Sequence, residues 1–189
     1  MNILELKHVN FTYDQEKYIL KDINLSFETG KVYGIFGRSG AGKSTWLSLM
    51  AGLEAYKEGN ILYNGKELST INYDIYRSND IGIIFQSYNL LPHLTALENV
   101  ILSMDISKHE NKDKEKTALE VLKRVGIDEE KANRRVLQLS GGEQQRIAIA
   151  RALSYDANII LADEPTGYLD RETEDEILDI LDDIAHKDN

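Results

Sequence analysis

Gly37-Arg38-Ser39-Gly40-Ala41-Gly42-Lys43-Ser44 is the stretch that organises the reading of this chain. It fits G-x-x-x-x-G-K-[ST], a loop whose backbone N–H groups face phosphate oxygens, with Lys43 on the β- and γ-phosphates and Ser44 on Mg2+. Gly37 and Gly42 allow a tight turn and let backbone approach an anion with no Cβ in the way. Upstream, residues 31–36 (KVYGIF) read as a short buried strand; downstream, Thr45 opens a helical stretch, TWLSLMA. Phosphate then sits at a helix N-terminus, where unpaired N–H groups and the dipole favour negative charge. The bland alternative, a structural glycine-rich turn, does not account for the strand-loop-helix setting.

Two strings lie further out. Asp163-Glu164 closes an apolar, strand-like run over residues 158–162. Carboxylates at the C-terminal end of a strand stand where open α/β sheets place ligands. Asp163 suits a water-mediated Mg2+ contact, and Glu164 suits orienting and deprotonating an attacking water, the positioning task of phosphoryl transfer. Without the glycine loop, the pair reads as a turn cap before Pro165. Leu139-Ser140-Gly141-Gly142-Glu143 precedes residues 144–153, where Ile147, Ile149 or Ala150, and Leu153 recur at helical spacing. Ser140 either caps that helix or presents an anion site.

Composition bounds the rest. A length of 189 residues favours one domain, able to bury roughly 70% of its unfolded surface. There is no cysteine, which excludes disulfide frameworks and thiol catalysis and suits a reducing cytosol. The first residues lack a basic segment followed by an apolar one, and no apolar run nears 18 residues, so neither secretion nor membrane spanning is expected. Net charge is −10 with no basic stripe, which argues against nucleic acid as a partner. An anionic triphosphate must then be drawn by Lys43, the helix end and Mg2+. Residues 170–189 hold nine Asp or Glu, yet Ile177, Leu178, Ile180, Leu181 and Ile184 keep helical spacing, so the acids read as the wet face of an amphipathic helix.

A coarse pass finds strand-like runs at 3–9, 23–27, 31–36, 60–63 (before the Asn64-Gly65 turn) and 81–85. From Thr95 the pattern turns helical, with Thr95 as a cap and a second helix over 117–125 that ends near Gly126. The charge run at 108–116 reads as an exposed helix start or loop. The fold class is α/β, with a helical block set into a sheet domain.

With these motifs in place, the chain resembles the ATP-binding subunits of ABC transporters, whose signature loop LSGGQ stands here as Leu139 to Glu143, with Glu143 for Gln. The resemblance covers essentially all of the chain. It implies a P-loop NTPase of ABC type, with a central mostly parallel sheet, an N-terminal antiparallel β subdomain and a helical subdomain at about 87–155. It also implies that residues 37–45, including Thr45, hold ATP, that Tyr13 stacks on adenine, and that Gln86 touches Mg2+ and reports nucleotide state. The metal set is then Ser44, Gln86 and Asp163; Lys43, Gln86 and Glu164 are catalytic. For Tyr13 a buried aromatic, and for Gln86 a loop amide, are the plain alternatives. Asp170, in Gly167-Tyr168-Leu169-Asp170, matches a loop that crosses between subunits, although Tyr168 stands where Asn or Ala is usual.

Further implications concern partners. Ser140, Gly141, Gly142 and Glu143 of one subunit close on nucleotide held by another, so a homodimer is expected, peripheral on the inner membrane face. A separate integral membrane permease is contacted near Gln86 to Val100. That stretch resembles the subgroup serving lipoprotein release, macrolide and antimicrobial-peptide export and cell-division signalling; Pro92 and His93 there read as loop residues. Family members continue into a last core strand that ends in a histidine contacting the γ-phosphate. Here that strand is not found and His186 does not match, so weak or no ATPase activity is expected of the 189 residues taken literally. Three rivals share some motifs. One is a nucleotide-dependent dimerising module with little hydrolysis, against which Glu164 argues. A chromosome-maintenance or translation ATPase of the same superfamily would need a long coiled-coil insertion or two copies of each motif, and the sequence has neither. A small-molecule kinase has no use for Leu139 to Glu143.

Overall fold

A computed structural model describes residues 1–14, 16–107, 113–167 and 169–187. The chain divides into two units, Met1–Tyr76 with Asp182–Asn189, and Arg77–Leu181.

The first unit is built on strand β1 (Asn2–Phe11), whose buried residues change parity part-way along: Leu4 and Leu6, then Val9 and Phe11. The shift is a bulge. His8 adopts φ 52° and Asp22, on the neighbouring strand, φ 49°, and the His8 Nδ1 to Asp22 Oδ1 distance is 2.8 Å. One extra residue flips which side chains face inward, so the bulge keeps the apolar set on one face. Strand β2 (Leu20–Glu28) pairs antiparallel with β1, and so does β3 (Glu58–Tyr63) on the other side. A two-residue turn, Asn64-Gly65, both at positive φ, returns β3 into the short β4 (Lys66–Glu67), as expected of a hairpin with that dipeptide. The sheet order is β2-β1-β3-β4. Helix α1 (Lys43–Met50) buries Trp46, Leu49 and Met50, and the Trp46 ring lies 5.6 Å from that of Phe27 on β2. A single turn, α2 (Tyr73–Ile75), is capped by Asn72.

Residues 31–36 are the one expected strand that fails. They join no sheet and are exposed throughout, with Val32 at 65% and Phe36 at 95%. An apolar run becomes a strand only by exchanging ladder hydrogen bonds, and among the described residues no strand pairs with this one.

In the second unit, β5 (Ile81–Ile84) and β6 (Ile159–Ala162) form a parallel pair, Ile81 opposite Ile159 through Ile84 opposite Ala162. The expected parallel ladder is thus two strands wide among the described residues. Helices α3 (Ala96–Ile106), α4 (Lys114–Arg124), α5 (Glu129–Ala132) and α6 (Gly141–Leu153) follow, and then α7 (Arg171–Lys187), which belongs to this unit as far as Leu181. Thr95 caps α3 as expected, reciprocally with Glu98. Of the charge run, residues 108–112 lie outside the described residues; Asp113 caps α4. Helix α6 is the centre of this unit, with Ile147, Ala148, Ile149 and Ala150 all at 0% exposure and α3, α4 and β5 packed around it. A helix buried on every side is fixed from all directions. In α7, Ile177 is buried while Leu178 is half exposed.

Candidate functional site

In the first unit, the glycine loop leads into α1 with no side-chain cap. Gly42 occupies the cap position at φ 89°, Gly40 stands at φ 76°, and the first turn of α1 holds no acid. Both glycines are in the left-handed region, and a Cβ on Gly42 would press to 3.0 Å of Ile19 Cγ2, so position 42 admits glycine alone without strain. Lys43 Nζ donates to Gly37 O at 3.1 Å and reaches Arg38 O at 3.5 Å, folding the ammonium across the loop. Ala41 N–H donates to Arg38 O, a tight turn within the loop. Arg38, Ser39 and Gly40 are exposed, as is Ser44; Thr45 is half-buried. The N-terminal N–H groups of a helix seek acceptors, and this end offers none from a side-chain cap. A phosphate chain fits that demand. Tyr13 is exposed at 59%, which sets aside the buried alternative, and its ring meets Phe11 edge-on at 4.8 Å, bracing it beside a core residue.

In the second unit, Asp163 continues the parallel ladder, its N–H donating to Ile84 O at 2.9 Å. Glu164 follows at φ 44°, a left-handed setting for a non-glycine residue, and begins a turn closed by Gly167 N–H on Glu164 O. Gln86, two residues past β5, donates from Nε2 to Glu164 Oε2 at 3.3 Å. Two expected residues 78 apart in sequence thus meet. Gly167 makes room for them: a Cβ there would stand 2.4 Å from Gln86 Nε2.

Ser140 caps α6. Its Oγ accepts from Glu143 N–H at 3.3 Å, and Glu143 Oε2 accepts from Ser140 N–H at 2.8 Å, a reciprocal box. Glu143 Oε1 also pairs with Lys131 Nζ at 3.0 Å. The Ser140 N–H, then the Lys131 ammonium, hold the Glu143 carboxyl below its ordinary range. Asp170 caps the start of α7 through Thr173 N–H at 3.1 Å and the Thr173 hydroxyl at 2.9 Å, which lower its pKa in that order. Tyr168 lies outside the described residues, and the side chain of His186 is not described either.

Three residues the sequence reading missed hold this unit together. Arg151 on α6 donates to Asn89 O at 2.5 Å and Tyr88 O at 3.0 Å, gripping the segment after Gln86 where both residues are left-handed. Burial pushes its pKa down. Asn99, buried, bonds Leu91 through both its oxygen and its amide. Gln145, fully buried, donates to Pro165 O at 2.6 Å. An arginine placed on the buried helix was the available signal for the first; the others had none.

No three His, Cys, Asp or Glu converge as a metal cage among the described residues. Ser44, Gln86 and Asp163 carry a hydroxyl, an amide and a carboxylate, oxygen donors of the kind Mg2+ takes. No helix among the described residues is long and apolar enough to cross a membrane.

The glycine loop at the head of a helix and the acidic pair at the end of a parallel strand define a P-loop nucleotide-binding protein of the α/β class. The chain belongs to the ABC transporter family, whose model matches residues 20–167, and it is an ATP-binding subunit of that family. It is 48% identical to the uncharacterized ABC transporter ATP-binding protein YclH of Bacillus subtilis, over 100% of this chain and 84% of that protein. It is 41% identical to the methionine import ATP-binding protein MetN of Clostridioides difficile, over 98% of this chain and 58% of that protein. A solved dimeric post-hydrolysis state of the ATP-binding cassette MJ0796, of Methanocaldococcus jannaschii, bound to ADP and Pi superposes with a TM-score of 0.88 at 39% identity, covering 98% of this chain and 84% of that one.

Proposed function

We propose that this chain binds Mg2+·ATP, hydrolyses it as a homodimer, and drives an integral membrane permease from the cytoplasmic face. Residues 1–189 act as a single cassette with a helical subdomain at about 87–155. The observation that carries the reading is the N-terminus of α1, which has a glycine-built approach, no side-chain cap and no first-turn acid. Backbone N–H groups of residues 38–45 and the Lys43 ammonium bind the β- and γ-phosphates, and Tyr13 stacks on the base.

Glu164 accepts the proton of the attacking water, and Gln86, donating to its Oε2, orients the carboxylate. The ion supplies neutralisation of charge that develops on the phosphates, with Ser44, Gln86 and Asp163 assigned to hold it by the family resemblance. Ser140, Gly141, Gly142 and Glu143 form the loop that faces nucleotide on the second copy, and Asp170 serves the crossing between copies. ATP then bridges the closed dimer, and hydrolysis releases it.

We place the permease contact near Gln86 to Val100 and read the system as an exporter of peptide, lipoprotein or drug type, from the resemblance of that stretch to the export subgroup. A neighbouring reading frame encoding a permease with a large extracytoplasmic domain supports export; one encoding a solute-binding protein overturns it. The decisive variant is Glu164→Gln. With hydrolysis as the reset step, it accumulates a long-lived ATP-bound dimer, seen by size-exclusion chromatography with light scattering. A dimer lifetime equal to the parent's instead favours a dimerising module with little turnover.

A further inference from the structure

The signature end of α6 carries a charge problem of its own making. Its first three positions are Gly141, Gly142 and Glu143, so a carboxylate sits in the turn whose N–H groups are to receive a phosphate. A negative charge in the first turn stabilises an empty helix, and the same charge repels an arriving anion. Glu143 spends one oxygen on Ser140 N–H, and Lys131, brought in by the short α5, takes the other at 3.0 Å. Asp128 fixes that short helix by accepting from Lys131 N–H at 2.8 Å, which sets the lysine backbone next to its partner. Lys131 and Glu143 are both half-buried, with side-chain exposures of 37% and 24%. A pair this open adds little to folding stability, so its presence at this turn asks for another reason.

We propose that Lys131 is a positioning residue for the composite site: it neutralises Glu143 so that the N-terminus of α6 stays receptive to the terminal phosphate of a nucleotide held by a second copy of the chain. The inference rests on the reading of Ser140 to Glu143 given above. It explains how an acid is tolerated where the family's signature has a neutral glutamine. Removing the ammonium leaves an unshielded carboxylate facing a multiply charged anion, at an effect on the order of tenfold per site. A symmetric pair has two such sites, so the dimer dissociation constant rises about a hundredfold.

The test uses the full chain carrying Glu164→Gln, with Mg2+·ATP as the probe and analytical ultracentrifugation as the readout. Lys131→Met is expected to weaken the ATP-dependent dimer about a hundredfold, and Lys131→Arg to retain it. Adding Glu143→Gln to Lys131→Met should restore the parent constant to within about threefold, since no charge is left to neutralise. The Lys131→Met defect should also shrink as salt is raised from about 0.05 to 0.5 M, as a screened charge effect must and a packing defect would not. Melting temperatures should agree within about 2 °C. A Lys131→Met dimer as tight as the parent's, or a defect that Glu143→Gln does not rescue, overturns the proposal. A parent chain that binds ATP and forms no dimer overturns the two-copy reading beneath it, and that result is distinct from either.

Discussion

Each unit contains a glycine-led helix N-terminus, and the two are finished in opposite ways. At α1 the cap is Gly42 and the third position is Thr45; at α6 the cap is Ser140 and the third position is Glu143. The α6 end closes on itself through a reciprocal box and a lysine. The α1 end has neither a side-chain cap nor a first-turn acid of its own. What separates the two ends is one hydroxyl and one carboxylate.

The comparison can be broken at α1 by making it resemble α6. Thr45→Glu places an acid at the equivalent third position and should reduce Mg2+·ATP affinity at least about a hundredfold. The same change should stabilise the empty chain by about 0.5 kcal/mol. Titration with a fluorescent nucleotide, set beside urea unfolding, reads both, and retained affinity would defeat the contrast.

A smaller effect is expected at the α6 side from Arg151→Met. Two carbonyls lose their charged donor, at a cost of about 2 kcal/mol in denaturant unfolding, with the amides of residues 86–90 exchanging faster. Unchanged exchange there would mean that the segment after Gln86 is held by other means.

Ser140→Ala should cost about 1 kcal/mol, the ordinary worth of a cap. The corresponding cap change at α1, Gly42→Ser, should destabilise for the different reason that a side chain is forced into a left-handed setting against Ile19. The smallest effect concerns pH. The folded-state pKa of Glu143 lies below its ordinary 4.5, so its contribution to stability is complete above that value and disappears as pH falls through the depressed one. The stability gap between the parent and Glu143→Gln should therefore be widest near neutrality and close on acidification. A gap that widens in acid would reverse the assigned sign.

Much of this was legible where the controlling interaction is local. Thr95 and Ser140 as caps and Asn64-Gly65 as a turn depend on residues no more than three apart, and sequence spacing suffices to see them. Residues 31–36 show the limit of that reading, because apolar content reports what a strand could bury and is silent on whether a neighbour pairs with it. Lys131 meeting Glu143, Arg151 meeting the carbonyls of Tyr88 and Asn89, and Gln86 meeting Glu164 depend on tertiary placement. No periodicity encodes such encounters. The motifs named the players of the candidate site; the folded chain supplied their partners.

Gly167 has a consequence for how this cassette can move. Its amide closes the Glu164 turn, and its bare α-carbon gives the Gln86 amide its berth. Carboxylate and berth belong to one short piece of backbone. Any rearrangement that unwinds that piece moves the Glu164 carboxylate and removes the Gln86 berth in the same stroke, so the two side chains cannot be displaced one at a time.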